Sequence, residues 1–134
     1  MSRPGITKVG MIILMEPDIP AAILFFEKLG IKKQFELEDR WVEFTIGDVK
    51  LGLCKTPHEA TEQHAGFVLE VDDLRKFYEE MKDKVTFHRE PKEAQHGIMA
   101  TIKDPGGNLI DLYQPTPQKF KETVEKAMTE KTEK

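Results

Sequence analysis

The sequence predicts an α+β fold of two βαβββ modules followed by a C-terminal helix. The first observation is that a strand, a capped helix and three strands occur in this order twice. The second is alternation of apolar and polar residues in most strand segments, which is typical of a sheet with one buried face. The third is a Pro-Gly-Gly-Asn turn, starting at Pro105, between the last two alternating segments. We therefore predict a single domain over residues 1–134, with modules at 6–55 and 64–115 and a helix at 116–130.

The first module begins with an apolar run at residues 9–15, which we interpret as a strand buried on both faces. Asp18 is placed to cap a helix whose apolar residues recur at helical spacing as far as Leu29. Gly30 then ends this helix, because glycine tolerates the left-handed backbone of a helix terminus. Three extended segments complete the module, at 31–37, 41–46 and 49–55.

The second module repeats this order after a polar stretch at 56–63, which we interpret as a linker. An alternating strand is predicted over 66–71. Asp72 is the expected cap of a helix whose apolar stripe ends at Met81. A short extended piece at 85–88 is then expected to lead through a polar loop into the final hairpin.

The final hairpin has the strongest turn signal in the chain. Pro105 favours extended backbone at Asp104, and the glycines at 106 and 107 tolerate the positive φ angles of a tight reversal. Apolar residues alternate with mixed ones on both sides of the turn. The alternation places Asp111 and Tyr113 together, on the face opposite to the apolar one.

Composition narrows the class of protein. Charged residues make up 33% and hydrophobic residues 39% of the chain, which is typical of a soluble globular domain. The net charge of −4, without a basic stripe, argues against nucleic acid as a partner. The single cysteine, Cys54, cannot form an intrachain disulfide, and no signal-like N-terminus is seen, so we expect a cytoplasmic protein. The apolar runs are too short for a membrane span.

Over residues 9–113 the sequence resembles the glyoxalase/bleomycin-resistance superfamily, also called vicinal oxygen chelate, which includes extradiol dioxygenases. The resemblance implies two modules whose strands form a curled mixed sheet around a cleft. In metal-dependent members, each of four strands provides one ligand to a divalent cation that stabilises an enolate-like charge. The segments that carry the resemblance are Pro17-Asp18, Phe25-Phe26, Leu29-Gly30, 67–74 and the Asp-Pro-x-Gly-Asn turn followed by Asp111.

Carried onto this chain, the four ligand positions of the superfamily fall on Met11, Gly52, Gly66 and Asp111. Only Asp111 can bind a hard cation, because a thioether is a soft ligand and glycine has no side chain. The resemblance therefore implies a member that lacks the usual metal centre and has no cofactor. The alternative is a divalent metal held by Asp111 and His64, since a shift of two residues keeps a strand residue on the same face.

A set of seven residues is predicted to bind a ligand. Trp41 is either a core residue or a stacking wall for a flat molecule. Gly52 and Gly66 are expected to leave open volume. The hydroxyl of Tyr113 is expected either to point into the cavity or to hold the Asp111 carboxylate by a hydrogen bond. The remaining histidines, His58, His88 and His96, are expected to face solvent. The predicted ligand-binding residues are Met11, Trp41, Glu43, Gly52, Gly66, Asp111 and Tyr113.

Three functions remain open at this point. The first is a small-molecule-binding protein, similar to the bleomycin-resistance branch, that holds an aromatic or amphipathic ligand. The second is a metal-dependent lyase, isomerase or dioxygenase that uses Asp111 and His64, and the third is an interaction module with a vestigial cavity. Whether the chain is an enzyme is therefore not decided by the sequence.

A homodimer is the predicted assembly. The strand at 9–15 is apolar on both faces, and a stripe of Phe120, Val124 and Met128 provides apolar surface that one domain need not bury. We expect two equivalent clefts lined by Trp41, Asp111 and Tyr113. The alternative is a monomer whose C-terminal helix covers its own sheet edge.

Overall fold

The predicted α+β class is confirmed, with two βαβββ modules and a C-terminal helix. The computed structural model describes residues 4–133, with side chains described as far as Glu130. In chain order the elements are β1 (Met11–Glu16), α1 (Ile19–Lys28), β2 (Lys32–Leu37), β3 (Trp41–Ile46), β4 (Val49–Lys55), β5 (Gln63–Glu70), α2 (Leu74–Met81), β6 (Thr86–Ala94), β7 (Gly97–Lys103), β8 (Asn108–Pro115) and α3 (Pro117–Glu133).

The chain divides into two compact units at the boundary between Thr61 and Glu62. Unit one contains α1 and a four-stranded sheet in the order β1-β4-β3-β2. Unit two contains α2, α3 and a sheet in the order β5-β8-β7-β6. In each sheet the first strand pairs in parallel with the last, and the other neighbours are antiparallel. The repeated order of elements in the sequence is therefore also a repeat of topology.

The first helix, α1, is capped as predicted. The Asp18 carboxylate accepts a hydrogen bond from the backbone N–H of Ala21 at 3.1 Å, which satisfies one donor of the first turn. On the buried side of the helix, the ring of Phe26 packs against that of Phe44 on β3, with centroids 5.8 Å apart. Gly30 follows the helix with a φ of 83°, the left-handed conformation expected at its end.

The prediction that β1 is buried on both faces is wrong within a single chain. Leu14 and Glu16 are buried, whereas Ile13 is 53% and Met15 is 43% exposed. Successive residues of a strand point to opposite faces, so β1 has one buried face and one exposed apolar face. An apolar run shows that both faces of a strand are hydrophobic, but it does not show what covers them.

The cap of α2 is Asp73 and not the predicted Asp72. The Asp73 carboxylate accepts a hydrogen bond from the N–H of Lys76 at 3.2 Å, while the Asp72 carboxylate accepts one from the N–H of Asp73. A helix that starts at Leu74 buries both Leu74 and Met81. These two residues are seven apart, or two turns, and so lie on one side of the helix. The burial of Leu74 and Met81 therefore decides which of the two adjacent aspartates caps the helix.

Strand β6 includes the segment that the sequence predicts as a polar loop. Its pairing with β7 shifts by one residue after Phe87 and by one more after Arg89, which are two β-bulges. Pro91 lies in the second bulge, where a missing N–H does not interrupt the ladder. Each bulge resets the alternation of faces, so the polar residues of β6 do not show a strand period.

The turn between β7 and β8 is held by the Asp104 carboxylate, which is only 4% exposed. Its Oδ1 accepts hydrogen bonds from the backbone N–H groups of Gly106 and Asn108, both at 2.9 Å. Its Oδ2 accepts a further bond from the Asn108 side-chain amide at 3.1 Å. Gly107 has a φ of 87°, which glycine adopts without strain. The turn thereby sets the register of β8 and the position of Asp111.

The C-terminal helix α3 spans Pro117–Glu133, where the sequence predicts a helix at 116–130, and lies against the β6–β7 turn of its own unit. The Thr123 hydroxyl donates to the backbone carbonyl of Gln95 at 3.1 Å. The ring of Phe120 makes an edge contact with that of His96, with centroids 6.0 Å apart. None of the helices in residues 4–133 is both long and apolar enough to span a bilayer.

The exchange Asp104→Ala is expected to destabilise the protein by about 2–3 kcal/mol, because it leaves buried N–H donors without an acceptor. The midpoint of thermal unfolding, followed by circular dichroism, is expected to fall by about 5–10 °C. The matched control is Asp83→Ala at an exposed turn of the same unit. Equal melting temperatures for the two variants would contradict the role assigned to Asp104.

Candidate functional site

The sheet of unit one has a face that is opposite to its buried core, and four of the predicted ligand-binding residues lie on it. Two rows of paired residues cross β1, β4 and β3 on this face. One row is Met15, Cys54 and Trp41, and the other is Ile13, Gly52 and Glu43. We call this the apolar face of unit one. Its members are Met11, Ile13, Met15, Phe35, Leu37, Trp41, Glu43, Gly52 and Cys54.

The half-buried indole of Trp41 packs directly on Gly52. A Cβ atom at Gly52 would collide with the Cη2 and Cζ2 atoms of the six-membered ring. The prediction that Gly52 leaves open volume is therefore wrong, because Trp41 fills that space. Since one side of the ring lies on the sheet and the residue is not fully buried, Trp41 is part of the surface of this face.

Glu43 is the carboxylate on the apolar face of unit one. It pairs with Gly52 on one side and with Phe35 on the other, and it is half-buried. Among residues 4–133, no hydrogen bond or ion pair engages this carboxylate. An acceptor near the Trp41 ring is thus available to a ligand.

Unit two contains the other three predicted residues, and two of them lie together on β8. Asp111 and Tyr113 share one face, as predicted, but their side chains have different partners. The Asp111 carboxylate accepts a hydrogen bond from the Thr101 hydroxyl at 2.8 Å. The Tyr113 hydroxyl donates to the carbonyl of His96 at 3.1 Å and lies 2.9 Å from its Nδ1. Of the two alternatives for the Tyr113 hydroxyl, the hydrogen bond to Asp111 is therefore not the one formed.

His96 does not face solvent, contrary to the prediction. It is half-buried between the rings of Tyr113 and Phe120, with ring centroids 5.3 Å and 6.0 Å away. The neighbouring Gly97 makes this possible, because a Cβ there would collide with the carbonyl of Gln114 and lie 2.7 Å from Tyr113 Cε1. The ladder pairs Gly97 with Pro115, so the Tyr113 ring approaches it diagonally, and the glycine that follows His96 is the sequence signal that points to this close approach.

Gly66 lies in a bulge of β5. His64 pairs with Leu109 and Val68 pairs with Asp111, so three residues of β5 lie opposite a single residue of β8. Gly66 has a φ of 84°, and no heavy atom lies within 4 Å of a Cβ built there, which agrees with the predicted open space. The residue directly opposite Asp111 is Val68, so neither Gly66 nor His64 is its partner in the ladder.

The described residues do not fit the divalent metal that the resemblance implies for metal-dependent relatives. The position at Gly52 is filled by an indole, and Asp111 is hydrogen-bonded to a hydroxyl. Between residues 4 and 133, no group of three or more His, Cys, Asp or Glu side chains is arranged to hold a metal ion. Hard cations require several oxygen or nitrogen ligands, which this donor set does not supply.

A cavity of about 760 Å³ lies in unit two, beside Asp111. Its volume is in the range of about 300–1,000 Å³ that is typical of small-molecule pockets. Asp111 is among the predicted ligand-binding residues, whereas the β6 residues that provide most of the wall are not, because the sequence predicts a polar loop there. The lining includes Arg89, Pro91, Lys92, Met99, Thr101 and Asp111.

The sequence profile of the Glyoxalase/Bleomycin resistance protein/Dioxygenase superfamily matches residues 8–112. The chain belongs to this superfamily. The resemblance found in the sequence is thereby confirmed. No curated protein sequence matches the chain significantly.

Solved structures of the superfamily share the fold. TnmS3, an antibiotic-binding protein from Streptomyces sp. CB03234, has a TM-score of 0.70 at 25% identity, covering 85% of this chain and 100% of that one. A bleomycin resistance determinant encoded on the transposon Tn5 has a TM-score of 0.61 at 25% identity, covering 81% and 98%. Lactoylglutathione lyase from Agrobacterium tumefaciens has a TM-score of 0.68 at 16% identity, covering 83% and 96%.

The exchange Gly52→Ala is expected to displace the Trp41 ring and to cost about 1–3 kcal/mol of stability, as overpacking does. Because Trp41 is the only tryptophan in the chain, its fluorescence reports the displacement directly, as a red shift of the emission maximum. The control is Gly10→Ala, where no heavy atom lies within 4 Å of the new Cβ. In the double variant Gly52→Ala/Trp41→Leu most of the loss is expected to disappear. An unchanged emission maximum in Gly52→Ala would contradict this packing.

Proposed function

We propose that this protein binds a small aromatic or amphipathic molecule and does so without the usual metal centre of the superfamily. The observation that carries this proposal is the Trp41 ring, which packs on Gly52 at a position where the resemblance requires a metal ligand. An aromatic ring now lies where a metal ligand would be, and aromatic rings pack well against flat organic molecules.

The surroundings of Trp41 support this proposal. Ile13, Met15, Phe35 and Leu37 are exposed on the same face, so the ring belongs to a wider apolar surface. Exposed apolar surface of this kind is typical of ligand or partner binding. The carboxylate of Glu43 adds one polar acceptor, which suits a ligand with both an apolar body and a hydrogen-bond donor.

Two similar structures also support small-molecule binding. TnmS3 is described as an antibiotic-binding protein, and the Tn5 protein as a bleomycin resistance determinant. Both are 25% identical to this chain and are matched over nearly their whole length. The lyase from Agrobacterium is 16% identical, so its likeness concerns the fold alone.

The alternative of a metal-dependent lyase, isomerase or dioxygenase has less support. It requires Asp111 and His64 to act together, but the bulge in β5 places Val68 opposite Asp111. It also requires further donors, and the superfamily position at Gly52 is filled by Trp41. We therefore assign Asp111 to the wall of the unit-two cavity and derive no metal-dependent step.

The neutral probe N-phenyl-1-naphthylamine is expected to bind with an increase in its fluorescence and to quench Trp41. Trp41→Ala is expected to weaken this binding by about tenfold, because loss of an aromatic pair costs about 0.5–1.5 kcal/mol beyond the loss of buried area. Trp41→Phe is expected to keep most of the affinity. Leu24→Ala on α1, where the side chain is 60% exposed, is the control for a general loss of exposed apolar surface.

The same titration tests the absence of a metal. Dialysis against EDTA is expected to leave the affinity for the probe unchanged, and elemental analysis of protein purified without chelators is expected to show no stoichiometric transition metal. A metal that is lost in Asp111→Ala, or an affinity that returns only on adding Zn²⁺ or Ni²⁺, would contradict the metal-free proposal.

We also propose that the protein is a homodimer. On α3, Phe120 is 51%, Val124 is 42% and Met128 is 64% exposed, so the apolar stripe remains accessible in one chain. Phe120 also contacts His96 of the β6–β7 turn, and its ring is still half exposed. Apolar surface left open in one chain favours burial against a second copy.

Multi-angle light scattering at micromolar concentration is expected to give twice the chain mass of 15.4 kDa. Val124→Glu is expected to shift the mass towards that of one chain, because it places a charge in the apolar stripe. The control is Lys126→Met, on a different side of the same helix. A wild-type mass near that of one chain would contradict the proposed dimer.

A further inference from the structure

Two cationic side chains lie side by side on the edge strand of unit two. Arg89 pairs with Thr101, and Lys92 pairs with Met99. Arg89 and Lys92 are three residues apart on β6, whereas their partners on β7 are only two residues apart. The bulge between them absorbs the extra residue, so both cations share the face of Asp111. Along the strand they are separated by about 7 Å, the rise of two residues.

Neither cation has a hydrogen-bonding or ion-pair partner within the part of the chain that the structure describes. Arg89 and Lys92 make no hydrogen bond or ion pair there, and both side chains are exposed in the cavity. An arginine offers five N–H donors in a planar fork that matches a carboxylate, and lysine offers three more donors. The cavity wall thus contains donors that lack acceptors.

Two of the three carboxylates that line the cavity, Glu90 and Glu93, bind side chains of neighbouring helices. Glu90 accepts a hydrogen bond from the Tyr78 hydroxyl of α2 at 3.0 Å, and this bond raises the pKa of Tyr78. Glu93 forms an ion pair with Lys119 of α3 at 3.5 Å. Both acids therefore turn towards helices, and Asp111 is the carboxylate that stays on the cavity face.

The remaining wall is partly apolar. Met99, Pro91 and Ala94 contribute carbon surface to the lining. At about 760 Å³ the cavity is far larger than a single ion needs. An organic ligand that carries an anionic group matches this combination better than inorganic phosphate does.

We propose that the unit-two cavity binds the carboxylate or sulfonate group of a small organic ligand through Arg89 and Lys92. The inference rests on the proposal that the protein binds a small molecule, and it adds the chemical class of group that the unit-two cavity would bind. The guanidinium of Arg89 can make a bidentate contact with such a group, and Lys92 supplies a second positive charge about 7 Å along the same strand.

The test compares two fluorescent probes of nearly the same shape. 8-Anilino-1-naphthalenesulfonate carries the anion, and N-phenyl-1-naphthylamine is its neutral counterpart. Arg89→Met is expected to weaken binding of the sulfonate by about tenfold, and Arg89→Met/Lys92→Met by more, because each removes charge-assisted hydrogen bonds. The affinity for the neutral probe is expected to stay within about twofold, as no charged bond is lost.

Three controls accompany this comparison. Lys126→Met removes one exposed positive charge of the same unit outside the cavity and is expected to change neither affinity. Arg89→Lys keeps the charge and is expected to retain a large part of the sulfonate affinity. Raising the salt concentration is expected to weaken binding of the sulfonate but not of the neutral probe. Circular dichroism checks that the variants are folded, which is expected because both side chains are exposed.

Competition distinguishes an organic anion from phosphate. Millimolar benzoate is expected to displace the sulfonate probe, and the same concentration of inorganic phosphate is not. Displacement by phosphate alone would overturn the proposal of an organic ligand at this site.

The outcomes also separate this inference from the proposed function. Binding of both probes that is insensitive to Arg89→Met/Lys92→Met would overturn the anion site while leaving aromatic binding at Trp41 in place. Failure of both probes to bind would contradict both proposals. Binding of both probes, with loss of the sulfonate alone in the double variant, would support both.

Discussion

The hydrogen bonds of the Asp104 carboxylate are the constraint on which unit two depends. They fix a turn between β7 and β8, and that turn sets which residues of the two strands lie opposite each other. A slip of one residue would move Asp111 to the helix-covered face and break its bond with Thr101. The wall of the cavity therefore depends on a carboxylate that is not among its lining residues and that accepts hydrogen bonds from its own turn.

Local chemistry explains why much of the fold could be predicted. Asp18 and Gly30 bracket α1, and the alternation around the Asp104 turn identifies both strands of the last hairpin, because these signals act over a few residues. The choice between Asp72 and Asp73 could not be made in this way. It depends on the burial of Leu74 in a core formed by residues distant in sequence.

The candidate site was harder to predict, for two physical reasons. Bulges interrupt the alternation of β6, so Arg89 and Lys92 looked like residues of a loop although they share one face. Trp41 on β3 contacts Gly52 on the neighbouring strand β4. A sequence shows neither the rotamer of the tryptophan nor which residue of the next strand its ring covers. Sequence reasoning correctly grouped Trp41, Glu43 and Gly52 on one face but misjudged what fills the space between them.

The packing of an indole on a glycine also has an evolutionary consequence. A metal-binding side chain at position 52 and the tryptophan at position 41 compete for the same volume, so the protein can have one or the other. A single exchange at Gly52 would add a donor and at the same time produce a steric clash. A path from this chain to metal chemistry therefore requires coordinated exchanges at positions 41 and 52, in addition to new donors at positions such as Met11 and Gly66.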